Sequence, residues 1–247
     1  MRLNSSGLEQ FRTQGFLNLG QILTDDELRE IGGEYDRLVT FEDQTLGNEQ
    51  DGVFPYRAML NFRSRALRKY INHPELVELA IQLLGPDVRF WWDQGINKAP
   101  GSGSEIPWHQ DNGYQAGGCP EYLTTWLALD DSDLENGGLE VLPASHLDGP
   151  REHDLTSVHY YVPGVDGTGA VELSAKAGDH LIFSSLLLHR TVGNHTTDRQ
   201  RRAWVLQFAR GDARNLTSGE PFDDRAWVAR EGRRVTEPWS ERRYSLS

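Results

Sequence analysis

Apolar positions near the start of the chain recur at helical spacing. Leu28, Ile31, Tyr35 and Leu38 fall three or four residues apart, on one face of a helix. Thr24 and Glu27 stand before them as a capping box, the hydroxyl at the N-cap and the carboxylate at N3. A second helix is predicted from Pro74, a residue suited to a first helical turn, through Leu76, Leu79, Ala80 and Leu83. Gly85-Pro86 stops it. Residues 1 to about 85 thus read as helical, interrupted at 41–65 by an aperiodic stretch with Gly47, Gly52 and Pro55, which predicts a long loop. From 88 to 210 short apolar or alternating runs are separated by Gly, Pro and Asp: 88–97, 106–111, 122–129, 138–142, 158–162, 170–173, 180–184, 186–192 and 201–209. Roughly eight short strands with no long helix between them predict a sandwich or barrel. A doubly wound sheet is disfavoured, because its crossover helices are missing. Residues 211–247 are polar and arginine-rich and predict a surface extension with a short helix near 222–231. Arg233, Arg234, Arg242 and Arg243 read there as a solvated tail.

Composition narrows the class. The 247 residues are 37% hydrophobic and 10% aromatic, with seven Trp, enough for a packed core and too much for a disordered chain. We expect one domain over 1–247. A formal net charge of −12 disfavours nucleic acid and anionic membranes, since the cations that neutralise phosphate are lacking. No window approaches the ~18 consecutive apolar residues of a membrane span. The start, MRLNSSGLEQF, has no apolar core of a secretion signal. One cysteine, Cys119, excludes an internal disulfide framework and a cysteine-based zinc site. The expectation is a cytoplasmic protein, monomer or homodimer, acting on a small molecule.

Candidate chemistry begins at Pro107-Trp108-His109-Gln110-Asp111. Alternation along a strand would point His109 and Asp111 the same way, so one imidazole and one carboxylate could share a small metal. Alone, such a pair is common. His189, at the end of Leu186-Leu187-Leu188, would by itself suit a core histidine. The turn-rich Asn194-His195-Thr196-Thr197-Asp198 and the following Arg199-Gln200-Arg201-Arg202 change that reading. A hairpin there would bring the arginines back beside the His189 strand, with Arg199 and Arg201 on one face and Arg202 on the other. Two histidines and one carboxylate form the facial triad of non-haem Fe(II) oxygenases, which leaves three coordination positions open. An inward arginine can hold a carboxylate with its planar fork, and without an anion it would carry a desolvation penalty of several kcal/mol.

Four stretches taken in order carry a family resemblance: W-H-Q-D at 108–111, T-T-W-L-A-L-D-D…E-N-G-G-L-E-V-L-P-A-S-H at 124–146, A-G-D-H-L-I-F-S-S-L-L-L-H-R-T at 177–191, and N-H-T-T-D-R-Q-R-R-A at 194–203. The sequence resembles the phytanoyl-CoA dioxygenase family of Fe(II)- and 2-oxoglutarate-dependent oxygenases. The resemblance implies a double-stranded β-helix, a jelly roll of cupin type, mainly β with flanking helices. It implies iron ligands His109, Asp111 and His189. It further implies Arg201 as the grip on the distal carboxylate of 2-oxoglutarate, with a hydroxyl contact from Thr191. The spacing after His189 is one residue longer than is usual in the family. Anchoring on R-R-A selects Arg201, and Arg199 and Arg202 remain as alternatives. Lys98 and Gln94 stand where relatives often supply polar contacts to the co-substrate, and Trp126 stands on a strand that lines the pocket in relatives.

The implied cofactor set is Fe(II), 2-oxoglutarate and O₂, with release of succinate and CO₂. Related halogenases replace the carboxylate ligand by Ala or Gly, so Asp111 favours hydroxylation. Desaturation, cyclisation, epimerisation and halogenation stay open as outcomes on the same scaffold. A jelly-roll binding module or a redox-neutral metal cupin would leave the inward arginine without a role. Tyr56, Trp92, Trp108 and Tyr114 are candidates for an aromatic substrate wall. Arg57, Arg63 and Arg65, near Phe54, Met59 and Phe62, would suit a lid meeting an anionic or zwitterionic molecule, such as an amino-acid derivative or natural-product intermediate. Asn136-Gly137-Gly138 and Pro143-Ala144-Ser145-His146 read as turn chemistry. His146, His153, His159, His180 and His195 read as structural or exposed.

Overall fold

Strands that bury both faces dominate the architecture. The computed structural model describes residues 2–46, 56–103, 105–114, 121–157 and 159–238. In chain order the elements are α1 Ser5–Gln14, β1 Phe16–Gln21, α2 Asp25–Leu46, β2 Tyr56–Ala58, α3 Arg65–Ile71, α4 Pro74–Leu84, β3 Val88–Lys98, β4 Ile106–His109, β5 Tyr122–Ala128, β6 Leu139–Val141, β7 Val171–Leu173, β8 Asp179–Ser184, β9 His189–Thr191, β10 Arg201–Arg210, β11 Trp227–Arg230 and β12 Arg233–Arg234. The large sheet runs β1-β8-β5-β10-β3-β11-β12, with β2 also on β3; the small sheet runs β4-β9-β6-β7. All these pairings are antiparallel. Mostly antiparallel β with flanking helices in a jelly-roll fold is the architecture the family resemblance implied. No helix among the described residues is long and apolar enough to cross a membrane.

Alternation explains the two cores. Trp204, Leu206 and Phe208 of β10 point to the helices and pack with Ile31, Tyr35, Leu76 and Leu79. Ala203 and Val205 point inward and pack with Trp126, Leu181 and Phe183, and with Leu139 and Val141 from the small sheet. On β3, Gly95 faces the helix side. A Cβ there would lie 2.6 Å from the Tyr35 ring, so the close seat of α2 on the sheet needs glycine.

The helix signals act as read. Glu27 accepts from the Thr24 backbone N–H at 2.9 Å, and the Thr24 hydroxyl accepts from the Glu27 N–H at 3.3 Å. The His73 ring caps α4, with Pro74 in its first turn.

Several expectations need correction. The helical region also contains β1, which pairs with β8 after the left-handed Gly15 ends α1. The predicted 41–65 loop is shorter, because α2 runs to Leu46, β2 joins the β3 edge and α3 begins at Arg65. The expected strand at 158–162 is a single bridge between Asp154 and Tyr161, and the run at 186–192 is strand only over His189–Thr191. No helix forms over 222–231. Instead β11 pairs with β3 and buries Val228 and Ala229, so Trp227 and its apolar neighbours complete the sheet. Two guanidinium groups lie near the Trp227 ring, Arg89 at 3.6 Å from its centroid and Arg230 at 4.9 Å. Arg233 and Arg234 are exposed as expected, although Arg234 also donates to the Asn72 carbonyl. Arg242, Arg243 and Cys119 lie outside the described residues.

Candidate metal and co-substrate site

His109 ends β4 and His189 opens β9, and the antiparallel register sets them directly opposite each other. Their rings lie 4.1 Å apart between centroids. The Nδ1 of each faces the carbonyl two residues back in the chain, Pro107 O at 2.8 Å for His109 and Leu187 O at 2.9 Å for His189. A carbonyl only accepts, so Nδ1 carries the proton and donates, and Nε2 presents its lone pair. Asp111 Oδ1 lies 3.8 Å from His109 Nε2 and 3.4 Å from His189 Nε2. The donor atoms of the three residues all fall within 4.8 Å of one another. Two neutral imidazoles and one carboxylate oxygen converging in this way suit a divalent first-row metal such as Fe(II).

Strand alternation is not what aligns Asp111 with His109. β4 stops at His109, and Asp111 opens a 3₁₀ turn, Asp111–Tyr114. The Gln110 backbone N–H donates to His153 Nε2 at 2.9 Å, outside the strand ladder. The His153 ring then packs on Gly113, where a Cβ would sit 2.3 Å from it. The Gln110 side chain donates to Gly149 O and Leu186 O and accepts from Arg151 N, tying the two ligand-bearing segments together. His153 is therefore structural, as read, and it supports the turn that carries Asp111.

Burial, then the neighbouring His189, lowers the basicity of His109. Burial opposes ionisation of Asp111, but His189, His109 and the Thr124 hydroxyl outweigh it and keep the carboxyl acidic. Asp111 Oδ2 accepts from Thr124 Oγ1 at 2.6 Å and from Gln207 Nε2 at 3.1 Å.

Farther in, Arg201 and Lys98 face each other across the β10–β3 ladder, both fully buried. Arg201 Nε donates to Gly137 O at 3.0 Å, while Nη1 and Nη2 find no hydrogen-bond partner among the described residues. Lys98 Nζ donates to Thr191 Oγ1 at 2.8 Å and to the Val192 carbonyl. Burial, then Arg201, pushes Lys98 down to about 6, and burial lowers Arg201 to about 10. A buried guanidinium with two unused nitrogens, beside a buried amine that an anion would help to protonate, suits a carboxylate ligand. Gly137 makes the cradle possible. Its φ is +94°, and a Cβ would lie 2.7 Å from Lys98 Cδ.

The neighbouring arginines are occupied elsewhere. Arg199 pairs with Asp133 through two bonds and with Glu135, and Arg202 pairs with Asp130 and Asp36. Only Arg201 of the three points inward. The expected hairpin between β9 and β10 does not form: the two strands belong to different sheets, and the link between them is Lys98, the ladder partner of Arg201, which bonds Thr191 of β9.

The remaining candidates divide. Trp126 is buried, with Arg201 Cζ 5.7 Å from its ring centroid. Gln94 shares the inner face of β3 with Lys98 and accepts from Trp92 Nε1 at 3.1 Å. Tyr114 meets the His109 ring edge-on at 5.5 Å and stacks on Tyr160 at 5.0 Å. Trp108 does not join them. It lies on the opposite face from His109 and packs with Val162 and Leu188. Arg57 pairs with Gly95, whose face meets Tyr35 and the helices. Tyr56 pairs with Ile96 through its backbone; its side chain and Phe54 lie outside the described residues. Arg63 and Arg65 are exposed. Thr124 and Gln207 were not singled out in the sequence, and Gly137 was read there only as turn chemistry. Their signal was parity: Thr124 shares the face of Trp126, and Gln207 shares that of Arg201.

The family model for phytanoyl-CoA dioxygenase (PhyH) matches residues 11–203. Peroxisomal phytanoyl-CoA dioxygenase of Rattus norvegicus is 24% identical over 242 residues, covering 87% of this chain and 71% of that protein. L-proline trans-4-hydroxylase of Streptomyces griseoviridis is 27% identical over 224 residues, covering 80% and 82%. Among solved structures, EvdO2 of Micromonospora carbonacea var. aurantiaca, in complex with 2-oxoglutarate, shares the fold with a TM-score of 0.73 and 24% identity, covering 90% of this chain and 96% of that one.

Proposed function

This chain belongs to the phytanoyl-CoA dioxygenase family of Fe(II)- and 2-oxoglutarate-dependent oxygenases, and from that premise we propose that it hydroxylates an unactivated C–H bond of a small molecule, an amino-acid derivative or natural-product intermediate. Its cofactor set is Fe(II) with 2-oxoglutarate and O₂.

One observation carries the assignment of residues: the buried Arg201, with two unused guanidinium nitrogens, shares the interior with the His109, Asp111 and His189 donor set. His109, Asp111 and His189 would hold the iron. Bound there, iron supplies the activation of O₂ that couples oxidation of 2-oxoglutarate to succinate and CO₂ with oxidation of the substrate. Arg201 would take the distal carboxylate of 2-oxoglutarate in its fork. Lys98 would add a second positive charge. The Thr191 hydroxyl accepts from Lys98, so its own proton is free to donate to that carboxylate. Trp126 forms the wall behind it. Tyr114, Trp92 and Gln94 would border the substrate. Asp111 as third ligand supports hydroxylation over halogenation. The likeness to an L-proline hydroxylase over most of both chains supports a small, amino-acid-like substrate.

The test is anaerobic reconstitution with Fe(II), then addition of 2-oxoglutarate. A visible charge-transfer band that disappears in His189→Ala and weakens strongly in Arg201→Ala is the expected result. A folded, iron-loaded protein without a band would overturn the reading. Succinate release over a panel of amino-acid derivatives, followed by product analysis, then identifies substrate and outcome.

A further inference from the structure

The two oxygens of Asp111 have different surroundings. Oδ1 faces His109 and His189, at 3.8 and 3.4 Å from their Nε2 atoms. Oδ2 accepts from Thr124 Oγ1 at 2.6 Å and from Gln207 Nε2 at 3.1 Å. Thr124 and Gln207 are direct partners in the β5–β10 ladder, both buried, and Gln207 Nε2 also lies 3.4 Å from Thr124 Oγ1. The hydrogens divide without conflict. The single hydroxyl proton of Thr124 goes to Asp111, one amide proton of Gln207 goes to Asp111, and the other points to Thr124. Both donors are neutral, and a short O–H···O⁻ bond is among the strong ones.

We infer that Thr124 and Gln207 are positioning residues that commit Oδ2 of Asp111 to the protein, so that the carboxylate offers the metal one oxygen only. The inference rests on the proposal that Asp111 is an iron ligand. A carboxylate can bind a metal through one oxygen or two. A triad on an octahedral ion leaves three positions, and a keto acid needs two of them. Chelation by both oxygens of Asp111 would leave only two, so the keto acid would have to fill both with none spare for O₂, and Oδ2 and the co-substrate would crowd the same face of the ion. The Thr124–Gln207 pair removes that option before any metal arrives.

The test compares the wild type with the near-isosteric double variant Thr124→Val/Gln207→Leu. Fe(II) affinity is measured anaerobically by competition with a chelator, and 2-oxoglutarate affinity by titration of the charge-transfer band. Far-UV circular dichroism checks the fold. The expected result is Fe(II) affinity within about threefold of wild type and 2-oxoglutarate affinity lowered about 10- to 100-fold, the range seen when outer contacts of a metal site are removed. Thr124→Ser, which keeps the hydroxyl, should retain wild-type values. The inference is overturned if the folded double variant binds 2-oxoglutarate within about threefold of wild type. It is also overturned if Fe(II) affinity falls by the same factor, since the bonds would then merely keep the ligand in place. Should the double variant not fold, Thr124→Val and Gln207→Leu singly carry the same comparison. A wild type that binds no Fe(II) or develops no band marks failure of the metal-site proposal itself, and this inference falls with it.

Discussion

Arg201 and Lys98 stand opposite each other in the β10–β3 ladder, two buried basic groups whose hydrogen-bond partners, Gly137 O, Thr191 Oγ1 and Val192 O, are all uncharged. Burial leaves Arg201 charged and disfavours a second charge on Lys98 until an anion arrives, a poor arrangement for a resting core and a good one for a dianion.

Removing one cation should therefore separate binding from stability. In Arg201→Met the affinity for 2-oxoglutarate should fall roughly 30-fold or more, the scale of truncating a buried charged pair, about 2–5 kcal/mol. The melting temperature without ligand should stay level or rise, because a desolvated charge has been replaced by an apolar chain of similar length. Titration of the charge-transfer band and thermal denaturation read the two effects. A large loss of thermal stability would contradict the account of Arg201 as a group awaiting an anion.

Lys98 gives the site a pH signature. Its folded value is pushed down to about 6 from an ordinary 10.5. Between these values the unfolded chain binds more protons, so the contribution of Lys98 to stability rises with pH across that window and is least below about 6. A dianion favours the charged amine, so binding 2-oxoglutarate above about pH 6 should take up a proton, and affinity should weaken as pH rises. Calorimetry in buffers of different ionisation enthalpy measures the uptake. Lys98→Met should abolish it.

Gly137→Ala should damage fold and cradle together. The backbone lies at φ +94° and the new methyl would meet Lys98 Cδ at 2.7 Å. A strain of about 1–3 kcal/mol is expected, or a melting temperature lowered by roughly 2–10 °C for a chain of this size. Weaker 2-oxoglutarate binding should accompany it. An unchanged melting temperature would show that the turn relaxes at no cost.

Asp111→Ala should abolish turnover and lower Fe(II) affinity by more than about 100-fold, beyond the ~10–100-fold typical of losing an outer contact. Wild-type turnover in that variant would remove Asp111 from the ligand set.

The sequence was most legible where local chemistry decides. The Thr24–Glu27 box, Pro74 and the alternation of β5 and β10 are short-range signals, and each lies where read. Motifs spread from His109 to Arg201 converge in one interior, and the resemblance, not the spacing, pointed to that. Choosing among three neighbouring arginines needed partners from distant segments: Asp133 and Glu135 for Arg199, Asp130 and Asp36 for Arg202. Pairing across the fold hid more. β1 and β11 lack strong period-two patterns, and they are strands because β8 and β3 offer them an edge. Trp108 and Arg57 looked like pocket residues by composition, but parity turns each to the other face.

The last strands also govern how the molecule behaves toward its own kind. β11 covers the Val88–Arg89 end of β3, which would otherwise present open N–H and C=O groups along a long apolar strand. Beyond it β12 has two residues, both exposed arginines. A brief, positively charged border repels an identical border and gives a neighbouring chain almost nothing to zip onto. Arg233 and Arg234 thus leave this border unsuited to sheet-to-sheet growth, and a chain cut before Trp227 would expose the Val88–Arg89 end of β3 as a template.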